Sequence, residues 1–252
     1  MCGRYELHAQ PAAIALAFGL AHPPQLRPRY NVAPMQDVPI VRLNAAGERE
    51  AVQVRWGLVP RWAKDPSIGN RMINARGETV ATKPAFRNAF RRHRCLVPAN
   101  GFYEWKPTPD GHKQPLWIGR KDGALLGFAG LFERWLAPDG HPLDTCTILT
   151  TDANDLIAKL HDRMPVIVAP EDYQRWLDPE DPGPQDLVKP FPGERMTWYP
   201  VSMRVNSVRH DDAACIERVP GAEALLPFEE PAARGADTVP PEADEPPQAK
   251  LF

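Results

Sequence analysis

Between residues 95 and 151 the chain alternates short apolar, β-branched and aromatic segments with three Asp-Gly pairs: Asp110-Gly111, Asp122-Gly123 and Asp139-Gly140. Asp-Gly suits tight antiparallel turns, because glycine takes a positive φ without strain. Parallel strands need crossovers of about a dozen residues or more. Strands are therefore expected over 95–105, 115–118, 125–135 and 145–151, in an antiparallel-rich sheet rather than a βαβ winding.

The flanking sequence adds short elements. Residues 11–20 predict a helix, with Pro11 in its first turn and Gly19 near its end. Residues 27–34 read as extended and proline-punctuated. Strands are expected over 38–43 and 51–59 around a turn at Gly47, with Val52, Val54, Trp56 and Leu58 on one face. Helices are expected over 84–93, 155–161 and 171–177, and a late strand over 197–202. These elements make a single α+β domain over residues 2–220, with no internal repeat. From 221 to 252 the chain is acidic, proline-rich and poor in aromatics, the composition of a disordered tail.

The net charge of −2 hides an asymmetry. Residues 221–252 hold seven acids against Arg234 and Lys250, which leaves the body at +3. Residues 71–94 concentrate Arg71, Arg76, Lys83, Arg87, Arg91, Arg92 and Arg94 against Glu78 alone, a candidate phosphate-binding surface. No apolar run reaches membrane-spanning length and no secretory leader precedes Cys2, so an intracellular, cytoplasmic protein is expected. Cys2, Cys95, Cys146 and Cys215 lie too far apart for a zinc motif or a disulfide framework, and no metal or cofactor is expected.

Cys2 carries the most distinctive chemistry. Removal of Met1 leaves an N-terminal cysteine, whose amine and thiol sit on adjacent carbons. Such a 1,2-aminothiol condenses with an aldehyde to an imine and closes through sulfur to a thiazolidine. The ordinary pKa values, about 8 for the amine and 8.5 for the thiol, put both nucleophiles within reach of neutral pH. Glu104 lies among Phe102, Tyr103 and Trp105, where desolvation raises a carboxyl pKa toward acid–base use. His161 stands beside Asp162 at an expected helix end, suited either to proton transfer or to a structural cap. Met-Cys-Gly also opens class II glutamine amidotransferases, in which the cysteine attacks an amide. A noncatalytic DNA-binding adaptor is a third reading.

Several blocks together resemble the SOS-response-associated peptidase (SRAP) family. They are Met1-Cys2-Gly3-Arg4-Tyr5, Arg29-Tyr30-Asn31-Val32-Ala33-Pro34, Trp56-Gly57-Leu58-Val59-Pro60, Asn74-Ala75-Arg76, the run from Cys95 to Trp105, and His161-Asp162-Arg163-Met164-Pro165, extended by Val201-Ser202 and Val205-Asn206. The resemblance covers about residues 2–217 and implies a curved, barrel-like, mostly antiparallel sheet flanked by short helices. It also implies a sensor of abasic sites in single-stranded DNA that crosslinks covalently through Cys2 and shields the lesion from strand cleavage. Asn74 would hold the N-terminus and the opened sugar, Glu104 would shuttle protons, and His161 would act in imine chemistry and crosslink reversal.

The implied DNA surface includes Arg4, Trp62, Arg76, Arg87, Arg91 and Trp105, with Arg76 on phosphate. The peptidase in the family name reads as thiol-dependent self-removal of residues before the cysteine, here Met1; lyase chemistry is open to the same groups. Gly77 departs from the family's usual spelling, which has a larger small residue such as Ala or Ser. The chain ends in Gln248-Ala249-Lys250-Leu251-Phe252, which resembles the pentapeptide that docks on the bacterial sliding clamp through Gln248, Leu251 and Phe252. A monomer is expected.

Overall fold

In the computed structural model, which describes residues 2–181 and 183–222, thirteen strands and three α-helices are laid down in one chain. The strands are β1 (Tyr5–Leu7), β2 (Arg29–Val32), β3 (Asp37–Leu43), β4 (Arg49–Trp56), β5 (Asn74–Arg76), β6 (Arg94–Ala99), β7 (Gly101–Pro107), β8 (Lys113–Arg120), β9 (Leu126–Leu136), β10 (Pro142–Asp152), β11 (Arg163–Pro165), β12 (Ile167–Val168) and β13 (Met196–Pro200). The helices are α1 (Pro11–Phe18), α2 (Arg87–Arg92) and α3 (Tyr173–Leu177).

Pairing closes five of these strands on themselves. β4 pairs with β3, β3 with β6, β6 with β9 and β9 with β10, all antiparallel; β10 then runs parallel to β4 through Thr145–Arg55 and Cys146–Trp56. The barrel is thus mostly antiparallel, as expected. A second, wholly antiparallel sheet has the order β13-β8-β7-β1-β2. Aromatic rings seal it onto the barrel. Tyr5 of β1 meets Trp56 at 5.5 Å and Phe128 at 6.0 Å edge-on, and Phe102 of β7 meets Phe128 at 6.0 Å. All four are fully buried. Each such pair adds about 0.5–1.5 kcal/mol beyond its area burial.

The turn reading holds at all three Asp-Gly pairs: Gly111, Gly123 and Gly140 have φ of 85°, 69° and 85°. Two of the turns close the hairpins β7–β8 and β9–β10, whereas the one at Gly123 carries the chain from one sheet to the other.

Other expectations are corrected. The strand expected over 95–105 breaks at Asn100, and its halves enter different sheets. The Asn100 side chain accepts the backbone N–H groups of His8 and Ala9, and its own N–H bonds the Glu6 carbonyl, so the corner is fixed by the chain that crosses it. The helix expected over 84–93 is only Arg87–Arg92, and 155–161 holds a single 3₁₀ turn at Ile157–Lys159. Arg94 leaves the candidate phosphate surface. It is buried, and its guanidinium donates to the carbonyls of Phe90, Arg91, Trp176, Asp178 and Asp181, where it caps both α2 and the α3 turn.

Candidate active site

Cys2 is positioned by β1. Tyr5 pairs with Phe102 and Glu6 with Gly101, and the Tyr103 N–H donates to the Arg4 carbonyl at 3.0 Å. Continued toward the N-terminus, that register sets Gly3 across from Glu104 and Cys2 beside it. Asn74 comes from β5, which lies parallel to β10 with Asn74 opposite Ile148 and Arg76 opposite Thr150. β11 pairs with the same end of β10 from the other side, Arg163 opposite Asp152. His161 lies two residues before β11, and its N–H bonds the Ile157 carbonyl at 2.8 Å. One strand end thus gathers Asn74, Arg76 and His161.

The Asn74 side chain donates through Nδ2 to the Cys2 carbonyl oxygen at 2.8 Å. Its Oδ1 is buried with no hydrogen-bond partner among the described residues. Cys2 is fully buried, and burial first, then the Glu104 charge, pushes its thiol above the ordinary range. The sequence-based expectation of a thiol near 8.5 therefore changes: the thiol of Cys2 is held protonated. Glu104 is 5% exposed, and burial pushes its carboxyl up to about 7; the amino-terminal charge opposes that rise and Asp162 adds to it. His161 is lowered, mainly by burial and then by the amino-terminal charge. Its Nδ1 lies 2.9 Å from the Arg163 N–H and 2.7 Å from the Asp162 carboxylate, so both neighbours compete for that ring nitrogen.

These groups form a small toolkit. They are a thiol raised by burial, a carboxyl near 7, a lowered imidazole, and an Asn74 Oδ1 with no hydrogen-bond partner among the described residues. All four cysteines are free, and among the described residues no group of three His, Cys, Asp or Glu side chains is placed to hold a metal ion.

The residues expected to bind DNA separate into two groups. Arg76, Arg87 and Arg91 are exposed and have no ion pair among the described residues. Trp62 is 61% exposed at the mouth of a cleft of about 300 Å³, whose lining includes Arg61, Asn88, Arg91, Arg92, His93 and the buried Glu133. Arg4 and Trp105 are instead knitted into the fold. Arg4 donates through Nη1 to Asn31 Oδ1 at 2.7 Å and to the Val205 carbonyl at 2.8 Å, and its guanidinium lies 5.6 Å from the Trp105 ring centre. Trp105 donates through Nε1 to Asn206 Oδ1 at 2.7 Å. Gln248, Leu251 and Phe252 lie outside the described residues.

Two further groups escaped the sequence reading. Arg163 bonds Glu78 in bidentate fashion at 2.7 and 2.9 Å, Asp152 at 2.7 Å and the Thr150 carbonyl at 2.8 Å. It thereby ties the His161 turn to the segment that follows β5. Asn31 donates to the carbonyls of Val205, Ser207 and His210. Both residues stand inside the quoted blocks, but Glu78 lies 85 positions from Arg163 and the carbonyls that Asn31 serves lie 174 or more positions from it.

The sequence model of a family described as SOS response associated peptidase (SRAP) matches residues 1–208. The abasic site processing protein YoqW of Bacillus subtilis is 42% identical over 223 residues, which cover 86% of this chain and 99% of that protein. The abasic site processing protein HMCES of Gallus gallus is 36% identical, over 75% of this chain and 66% of its own length. A crystal structure of a protein from Bacteroides thetaiotaomicron superposes with a TM-score of 0.76 at 28% identity, covering 86% of this chain and all of that one.

Proposed function

The chain belongs to the SOS response associated peptidase family, and we propose that it handles abasic-site damage by trapping the lesion in single-stranded DNA as a thiazolidine on Cys2. The observation that carries this reading is the 2.8 Å bond from Asn74 to the Cys2 carbonyl, beside a carboxyl whose pKa is about 7.

Met1 is first removed, which places the α-amine on Cys2. An abasic sugar is mostly a closed hemiacetal. Glu104 takes the proton of the anomeric hydroxyl and returns one to the ring oxygen, which opens the aldehyde; a pKa near the working pH suits both transfers. The Cys2 amine then adds to C1′, and water leaves to give the imine. The protonated thiol is the later nucleophile. Its sulfur bonds to C1′ while its proton passes to the former imine nitrogen, so the sum of the steps is one aldehyde and one aminothiol joined with loss of one water. Ring closure is intramolecular, and effective molarities reach about 10⁵ M or more in well-oriented cases. With the imine gone, the C2′ protons are no longer acidified and the route to β-elimination closes. His161 serves the imine steps and their reversal.

Arg76, Arg87 and Arg91, exposed and without an ion pair among the described residues, supply a sequence-independent phosphate surface, and Trp62 a stacking face. A missing base is loaded more easily from an unpaired strand. The tail's final residues are proposed to dock on the sliding clamp, and the protein to act as a cytoplasmic monomer at the nucleoid. Mixing the Met1-free protein with abasic single-stranded DNA should give a heat-stable, slower-migrating band. The same band from a Cys2→Ala protein would remove Cys2 from the chemistry.

A further inference from the structure

Gly77 follows β5 directly and is buried. Its N–H continues the pairing to the Thr150 carbonyl at 2.8 Å, and its own carbonyl accepts Gln185 Nε2 at 3.0 Å. Its φ is not in the left-handed region, so no turn calls for glycine here. Space does. A Cβ at Gly77 would stand 2.2 Å from Val188 Cγ1, far inside contact distance. Val188 is β-branched and stiff at χ1, so its methyl cannot swing aside as the end of a long side chain would.

The segment that carries Val188 is itself braced. Leu187 is buried in the core. Asp186 is gripped in bidentate fashion by Arg175 of α3 at 2.6 and 2.7 Å, and Arg175 also bonds Asp181. α3 in turn is fixed to the barrel by Trp176, whose Nε1 donates to the Cys95 carbonyl of β6 at 2.8 Å. A continuous path therefore runs from β6 through α3 and Arg175 to Val188, and from there to Gly77 and β5.

We propose, resting on the reading of the site given above, that Val188 is a positioning residue for the lesion-facing strand: its methyl fills the notch at Gly77 and holds β5 where Asn74 meets Cys2. Glycine at 77 and valine at 188 are one fitted pair.

The test moves a methyl group across the contact. Gly77→Ala pushes β5 away, Val188→Ala loosens it, and the double variant restores the fit. Each single variant should slow crosslinking at saturating abasic DNA by about tenfold, the size expected when reacting groups are misplaced by a fraction of an ångström to an ångström. The double variant should return to within about threefold of wild type. Affinity for DNA bearing a tetrahydrofuran analogue, which has no aldehyde, should stay unchanged in all three, a split that general loss of structure would not produce. Single variants that keep the wild-type rate, or a double variant no better than the worse single, would overturn the proposal. Should wild type itself form no crosslink, the reading of the site fails; amide exchange across 74–77, faster in both single variants and restored in the double, then decides the fit between Gly77 and Val188 independently.

Discussion

Asn74 and Cys2, 72 positions apart, are joined by a 2.8 Å hydrogen bond from the side-chain amide of one to the main-chain carbonyl of the other. Asn74 Oδ1 is buried with no hydrogen-bond partner among the described residues. A buried acceptor without a donor costs about 1–3 kcal/mol, which a donor arriving with the substrate would relieve. On the proposed mechanism that donor is a hydroxyl of the opened sugar.

Asn74→Asp keeps the shape but loses the donor to Cys2 and adds a buried charge. It should slow crosslinking by about a hundredfold, while Asn74→Ala should slow it by about tenfold, since one hydrogen bond to a reacting group is worth about 1–3 kcal/mol. Single-turnover rates at saturating DNA measure both, and an Asn74→Ala rate equal to wild type would remove the residue from the mechanism.

Glu104 links activity to stability through pH. Its folded pKa of about 7 lies above the ordinary 4.5, so between these values the folded state holds the proton more tightly than the unfolded chain. Stability therefore falls as pH rises from about 4.5 through 7, with an upper bound of roughly 3 kcal/mol fully expressed above pH 7. Glu104→Gln should raise Tm at pH 8, leave it nearly unchanged at pH 4, and abolish the inflection near pH 7 in the crosslinking rate. Tm measured across that range, beside the rate profile, checks both signs; a variant less stable at pH 8 contradicts the argument.

The free amine is as necessary as the thiol. A protein that keeps two extra residues before Cys2 should bind abasic single-stranded DNA with little change in affinity and form no heat-stable adduct. Intact mass of the product reports this directly, and adduct formation by the blocked protein would show that the thiol suffices.

Much of this was legible in the chain. Pro11 and Gly19 bracket α1 as their backbone preferences require, and Gly19 closes it in the left-handed conformation. Glu104 stands in an apolar stretch, and burial raises its carboxyl as that stretch suggests. Tyr103 and Trp105, however, pack together in a separate cluster on the other face of β7. The break at Asn100 could not be anticipated, because both sides of it are apolar strand sequence and only the distant His8–Ala9 segment supplies the partners that turn the corner. The Arg163–Glu78 pair, 85 positions apart, was hidden for the same reason: charge pairing across a fold has no periodicity to betray it. The seven basic residues of 71–94 looked alike as a run, yet Arg94 faces inward onto five carbonyls while Arg87 and Arg91 face water.

Arg91 is exposed, has no ion pair among the described residues, and lines the same cleft as Trp62. Arg91→Ala should weaken binding to single-stranded DNA of any sequence and reduce the slope of log K against log salt by about 0.7, the increment for one phosphate contact on a single strand. Trp62→Ala should weaken binding by about 1–3 kcal/mol without altering that slope. Salt titrations of both variants distinguish charge from stacking.

Arg4 answers to a different measurement. Its guanidinium is committed to Asn31, to the Val205 carbonyl and to the face of Trp105, and its Nε is buried with no hydrogen-bond partner among the described residues. A group so placed braces the N-terminal segment against residues 205–210, and it has little freedom to meet a phosphate. Arg4→Lys keeps the charge but cannot reproduce the planar fork that serves Asn31 and Val205 together. It should therefore lower Tm by several degrees and slow crosslinking, because β1 and Cys2 lose their anchor, while the salt slope of DNA binding stays at the wild-type value. Arg4→Met, which keeps the length and loses the charge, should match it in slope. A slope reduced by about 0.7 in Arg4→Met but not in Arg4→Lys would place Arg4 on the DNA instead.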